Sequence, residues 1–209
     1  MNIEGTNICA DKFTAPHVTG ECAYFLSHLH SDHMSGLSHS WKRGKIFCTS
    51  ITRKLLIRKY SELEPLIFAM DYNVEYYIPN INGGFKVSAF DANHIMGSCM
   101  FIFEGKFGRI LYTGDFRFTQ EMLLNECLYP SSLRKDKNIG ISKHIDLLIL
   151  DNTFCDPMYN FPTQSEAFIQ IVKIIQDHPL HKVIMFLYNV GKEELLIKLA
   201  HVFSTTVIL

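Results

Sequence analysis

Between Ser27 and His33 the chain reads Ser-His-Leu-His-Ser-Asp-His, three imidazoles and one carboxylate within six residues. Imidazole and carboxylate together suit zinc or a similar borderline divalent ion. The group follows a short apolar run, Cys22 to Leu26. Alternate residues leaving a strand face one side, so His28 and His30 can share one ion. The turn that follows swings Asp32 and His33 toward a second. A surface histidine cluster is the alternative, but four ligand-type residues at this spacing seldom coincide by chance. A helix is expected from Met34 to Trp41, its amino-terminal amides beside the ions, where they favour anions.

Two later positions extend the pattern. His94 lies in Asp91-Ala92-Asn93-His94, and Asp115 in Tyr112-Thr113-Gly114-Asp115-Phe116-Arg117, each just after an apolar strand. The ends of strands are where α/β sheets collect their ligands. A lone His or a lone Gly-Asp turn would be weak evidence; in this order the two reinforce the first cluster.

The elements that must position these residues alternate between strand and helix. Strands are expected over Lys45 to Thr49, Val74 to Ile78, Phe85 to Phe90, Ser98 to Glu104, Phe107 to Thr113, Ile145 to Leu150 and Lys182 to Leu187. A helix from Ile51 to Tyr60 has Ser50 as its cap. Thr163 and Glu166 form a capping box for a helix to His178, and another helix runs from Lys192 to Phe203. Thr205 to Leu209 is strand-like. The apolar end Val207-Ile208-Leu209 is read as truncation, with a final edge strand as the alternative.

Composition sets the remaining bounds. The 209 residues are 47% hydrophobic and 20% charged, with a formal net charge of -1, so no global basic field marks a nucleic-acid partner. No transmembrane run or signal peptide is visible, and no membrane partner is expected. The six cysteines, at 9, 22, 48, 99, 127 and 155, contain no Cys-x-x-Cys pair and read as reduced, mostly core thiols of the cytosol or nucleus. Locally, no Asp or Glu occurs from His33 to Ser61, whereas Lys42, Arg43, Lys45, Arg53, Lys54, Arg58 and Lys59 do, a formal +7. Such a stretch binds a phosphate backbone; a solvated helix face is the alternative. Lys192 is a further candidate, for a terminal phosphate, and an ordinary helix start is its alternative. Arg117 either neutralises phosphate or forms a salt bridge behind the site, the second being preferred. The histidines at 17, 39, 144, 178, 181 and 201 belong to no constellation.

The order His-x-His-x-Asp-His, His, Asp resembles the ligand order of the metallo-β-lactamase superfamily. Asp91 to Ser98 is similar to the DANHCPGS segment of its DNA cross-link-repair nucleases, and Tyr112 to Arg117 reproduces their YTGDFR. Leu150 to Cys155 resembles LDTTYC, Phe161-Pro162-Thr163 their FP(S/T), and Tyr188 to Glu193 their YSxGKE. The wording from Phe25 to Trp41 is most similar to the family's 5′ exonuclease member. The resemblance covers nearly the whole chain.

It implies an α/β fold, the first half of a metallo-β-lactamase αββα sandwich over residues 1–150, with the start of a β-CASP insert over 151–209. It implies that His28, His30, His94 and Asp115 bind the first zinc, and Asp32, His33 and bridging Asp115 the second. Asp32 and Asp115 would be the catalytic carboxylates, Asp11 would support the site from behind, and Asp151 would open the β-CASP region. The implied function is metal-dependent 5′ to 3′ DNA exonuclease action on 5′-phosphorylated ends. The implied setting is the nucleus, in interstrand cross-link repair or telomere-end processing beside telomere or repair proteins. Ile95-Met96 in place of Cys-Pro and Asn152 in place of Thr depart from the pattern without removing a ligand. The family's later His motifs are expected beyond residue 209. The chain alone is therefore expected to hold at most one ion firmly, to cleave poorly and to leave its sheet uncovered. The alternatives are a truncated, non-catalytic form that binds DNA or a partner, and a small-molecule thioester or lactam hydrolase on the same scaffold.

Overall fold

The strands of the first sheet are short and, but for Thr49, mostly apolar: β1 (Ile8–Ala10), β2 (Ala23–Phe25), β3 (Ile46–Thr49) and β4 (Ile67–Met70). They pair in that order, all parallel, with Tyr24 opposite Ile46 and Phe47 opposite Phe68. A parallel sheet must be covered on both faces, and the period-two alternation supplies two apolar faces. Ile8, Ala10, Ala23, Phe25, Phe47 and Met70 point to one side. Cys9, Tyr24, Ile46, Cys48 and Ile67 point to the other, where Leu56 of the helix α1 (Ser50–Lys59), Trp41 and Phe13 cover them.

The second sheet faces the first side. Its strands are β5 (Glu75–Ile78), β6 (Phe85–Asp91), β7 (Cys99–Gly105), β8 (Gly108–Tyr112) and β9 (Leu147–Ile149), in that order. All pairs are antiparallel except β8–β9. Phe85, Val87, Ala89, Cys99, Phe101, Phe103, Ile110 and Tyr112 meet the first sheet in one core, with Phe25 packed edge-on against Phe101 and Phe103. The fold is thus mixed α/β with two facing sheets, as the sandwich reading requires.

The computed structural model describes residues 1–14, 20–125, 128, 144–187 and 190–207; His17, Cys127, Tyr188, Asn189, Ile208 and Leu209 lie outside the described residues. The chain divides into two units, Met1–Asp151, which holds both sheets, and Asn152–Leu209. The second unit contains α2 (Gln164–Gln176), with the capping box of Thr163 and Glu166, and α3 (Glu193–Val202). No helix among the described residues is long and apolar enough to cross a membrane. Cys9, Cys22, Cys48 and Cys99 are buried free thiols and Cys155 is exposed; burial pushes the Cys48 thiol up to about 12.

Five expectations are corrected. The first sheet is not left uncovered, because the β5–β8 meander folds back on it. Met34 to Trp41 is not an α-helix: a 3-10 turn over Ser31–Met34 is followed by Gly36 at φ 89°, a backbone that ends helical winding. The cap of α1 is Thr49, whose hydroxyl accepts from the Thr52 amide, so Ser50 is the first helical residue. Lys182 to Leu187 is not a buried strand: no ladder partner lies beside it among the described residues, and Phe186 is 96% exposed. Likewise Thr205 donates to Ala200 O and closes α3 instead of opening a strand.

Candidate metal centre

The candidate ligands all leave carboxyl ends of strands or the turns after them. His28 follows β2 directly, and His30 caps the 3-10 turn that carries Asp32 and His33. His94 sits in the β6–β7 connection, and Asp115 follows β8. One ligand atom from each of His28, His30, His94 and Asp115 lies within 4.8 Å of all the others. His94 Nε2 is 3.2 Å from His30 Nδ1 and 3.5 Å from Asp115 Oδ2; His28 Nε2 is 3.7 Å from the same oxygen. An ion with bonds of about 2.0–2.1 Å in a tetrahedron holds its ligand atoms roughly 3.3 Å apart. The spacing therefore fits a divalent ion. His28 Nε2 is in addition buried without a hydrogen-bond partner, a costly arrangement for a ring nitrogen unless a ligand completes it.

The other oxygen of Asp115 faces elsewhere. Oδ1 lies 3.0 Å from His33 Nε2, which is also 3.5 Å from Asp32 Oδ2. One carboxylate thus turns one oxygen toward His28 and His94 and the other toward His33. In the metal-free protein these contacts set the charges. Hydrogen bonding from His33 brings the Asp115 carboxyl down to about 2 against the opposing effect of burial. Burial disfavours charge on His33, but its bonds to Asp11 and Asp115 prevail and raise it to about 10. Burial, then repulsion from charged His33, lowers His28 to about 3, so that ring is neutral.

Asp11 sits behind the cluster, just after β1, at φ 51°, a left-handed conformation that Asp tolerates better than most residues. Its Oδ1 accepts from the Ser27 amide (2.7 Å). Its Oδ2 accepts from Ser27 Oγ (2.5 Å), His33 Nδ1 (2.8 Å) and Tyr112 OH (2.9 Å). Asp11, His28 and His33 also lie close enough to form a candidate ion site of their own. The four donors already on the Asp11 carboxylate argue against that and for support.

Several residues that hold the site were not singled out in the sequence. Thr49 and Thr52 both donate to Gly97 O (2.7 and 2.9 Å), tying the His94 loop to the start of α1. Ser98 Oγ accepts from the His94 and Ile95 amides at 3.2 Å. Gly114, at φ 51°, passes so close to Ser27 that a Cβ would lie 2.8 Å from its Oγ. Arg117, which the sequence did single out for phosphate or a salt bridge, also joins the two ligand loops through its backbone: its amide donates to Ala92 O and its carbonyl accepts from Asn93. The signal available for these was adjacency, since Ser27 precedes the first ligand and Tyr112 opens the Thr-Gly-Asp turn.

The basic stretch is divided. Lys42, Arg43 and Lys45 precede β3, at the end of the sheet where Gly44 packs on Cys22 and Tyr24. Four strand residues, about 13 Å, separate them from the ligand end. Arg53 and Lys54 belong to the early part of α1, beside the ligand end, whereas Arg58 and Lys59 are in its last turn. Arg53 is also paired with Glu64 at 2.9 Å. Asp151 donates its amide to Thr113 Oγ1, and Lys192 caps α3 in the second unit. His39 pairs with Glu62 and His144 with Asp146, so neither joins the centre.

No protein-family model matches the chain. Curated relatives do. The protein named 5′ exonuclease Apollo of Danio rerio is 42% identical over 187 residues, covering 88% of this chain and 31% of that protein. That of Gallus gallus is 39% identical over 210 residues, covering 99% and 42%. The DNA cross-link repair protein SNM1 of Arabidopsis thaliana is 33% identical over 196 residues, covering 91% and 37%. The chain thus spans about a third to two fifths of the length of these relatives. A metallo hydrolase structure from Ignicoccus hospitalis overlays 51% of this chain and 47% of its own, at 16% identity and TM-score 0.41, a likeness too slight to weigh. Over nearly its whole length the chain is thus similar to part of the proteins named 5′ exonuclease Apollo and to part of an SNM1-type DNA cross-link repair protein.

Proposed function

We propose that this chain carries the metal centre of a nuclear DNA-repair nuclease that hydrolyses phosphodiesters from the 5′ end, with zinc at two adjacent positions. The observation that carries the reading is the division of Asp115, Oδ2 toward His28 and His94 and Oδ1 toward His33. Such a division suits a carboxylate that would offer one oxygen to each of two adjacent ion positions. Two such ions supply charge neutralisation on phosphoryl oxygens and make a bound water more acidic.

The chain's own residues do the rest. His28, His30 and His94 offer nitrogens to one position, and Asp32 and His33 offer ligands to the next. Asp11 holds His33 by Nδ1, so Nε2 faces Asp115. Asp32 is 76% exposed, which leaves that flank open to a polymeric substrate. Arg53 and Lys54 at the start of α1 lie beside the ligand end and would attract the phosphate backbone. Cross-link repair rests on the relatives named for it; nuclear action, telomere-end processing and 5′-phosphate recognition rest on the sequence resemblance.

The test is digestion of 5′-end-phosphorylated single-stranded DNA by the zinc-loaded protein. With the first sheet covered by the second, two ions and nucleotides released from the 5′ end, abolished by chelation and by Asp115→Asn, are expected in place of the single firm ion and poor cleavage expected from the sequence alone. Hydrolysis of a thioester with DNA left intact would establish the small-molecule reading instead.

A further inference from the structure

We propose that Ser27 is a positioning residue that fixes the tautomer of His28, keeping its Nε2 lone pair bare and aimed at the first ion. The inference rests on the metal centre proposed above.

A serine hydroxyl has one proton to donate and lone pairs to accept with. Ser27 Oγ lies 2.5 Å from Asp11 Oδ2 and 2.9 Å from His28 Nδ1. The carboxylate already receives the Ser27 amide, His33 Nδ1 and Tyr112 OH, so it acts as acceptor throughout. The single Ser27 proton is therefore committed to Asp11. Toward His28 the oxygen can only accept, which places the imidazole proton on Nδ1. A neutral ring with its proton on Nδ1 has none on Nε2. That nitrogen is the buried atom without a hydrogen-bond partner, 3.7 Å from Asp115 Oδ2. A ligating histidine whose other nitrogen donates to a fixed acceptor is oriented and made more basic by it. Here the acceptor is itself fixed by Asp11, the same carboxylate that holds His33. The two ligand sets thus share one anchor, and Ser27 is the link to the first.

The Ser27 backbone is held independently of its hydroxyl. Its amide donates to Asp11 Oδ1 at 2.7 Å, and its carbonyl accepts from the Cys99 amide at 2.9 Å. Ser27→Ala therefore removes the proton relay while leaving the strand end in place. Ser27→Thr retains a hydroxyl and serves as the rescue variant.

The experiment uses the full chain, metal-free, with 15N-labelled histidine, and reads the His28 tautomer from its two ring-nitrogen shifts. A second reading is zinc affinity by chelator competition. Wild type is expected to show the Nδ1–H form, Ser27→Ala a mixture or the Nε2–H form, and Ser27→Thr the wild-type form. Zinc affinity at the first position is expected to fall about 10- to 100-fold in Ser27→Ala, the usual loss for a partner behind a ligand, and to return with Thr. A wild-type His28 in the Nε2–H form would overturn the proposal whatever the variants do. So would Ser27→Ala with the wild-type tautomer and zinc affinity. Absence of zinc binding by wild type would instead sink the metal reading, with the tautomer measurement still deciding the role of Ser27.

Discussion

His33 stands between two carboxylates: its Nδ1 is 2.8 Å from Asp11 Oδ2 and its Nε2 is 3.0 Å from Asp115 Oδ1. The first contact fixes the ring and the second aims it. In the absence of an ion the ring keeps a proton that an ion must displace, whereas neutral His28 offers a bare nitrogen at once.

A pH dependence follows from that contrast. Metal ligands must be deprotonated. His33 keeps its proton up to about 10, so the second ion competes with that proton across the neutral range. Its affinity should rise by about tenfold per pH unit between pH 7 and 9, one proton being released per ion. The first ion meets His28 already neutral, because burial lowers that ring to about 3, and should gain far less. Zinc titrations by calorimetry at pH 7, 8 and 9 check this; two affinities rising in parallel would contradict it.

Asp115→Asn should abolish phosphodiester hydrolysis and the second ion while largely sparing DNA binding. The amide cannot offer two anionic oxygens to two ions, but the basic surface is unchanged. Nuclease and gel-shift assays on one preparation decide it, and cleavage at the wild-type rate would remove the bridging role.

Gly114→Ala should destabilise the chain by about 1–3 kcal/mol, the usual cost of a strained backbone conformation, and more if Ser27 cannot move. The added Cβ would sit 2.8 Å from Ser27 Oγ in a left-handed backbone. Thermal unfolding measures the loss. Displacement of Asp115 should weaken zinc binding at the same time; a variant as stable as wild type would show that the turn is slack.

The division of the basic stretch makes its two halves distinguishable. Reversing Arg53 and Lys54 should weaken DNA binding and flatten its salt dependence. Reversing Lys42, Arg43 and Lys45, at the other end of the sheet, should do less. Equal effects would mean that DNA wraps the sheet from end to end.

The candidate ligands were legible because their signal is local. Two histidines at alternate positions after an apolar run need only the strand's own geometry to meet. His94 and Asp115 needed the order of the motif as well, since β6 and β8 bring them in from far along the chain. The helix cap shows the limit: Thr49 and Ser50 are both good caps, and only the bond from Thr49 to Gly97 in the His94 loop decides between them. β1 and β4, no shorter than β2 and β3 respectively, were not read in the sequence; each pairs in parallel with the strand beside it. The charge of residues 42–59 was legible and its division was not, because a run in sequence says nothing of which end of a strand it occupies. Asp11, Ser27 and Tyr112 meet across separations of up to 101 residues, a convergence that spacing alone does not encode.

Whether two ions share Asp115 can be read from anomalous diffraction at the zinc absorption edge of zinc-loaded crystals. Two peaks about 3.5–4 Å apart are expected. One should be bounded by His28, His30, His94 and Asp115 Oδ2, the other by Asp32, His33 and Asp115 Oδ1. A single peak on Asp11, or zinc bound away from these residues, would contradict that sharing.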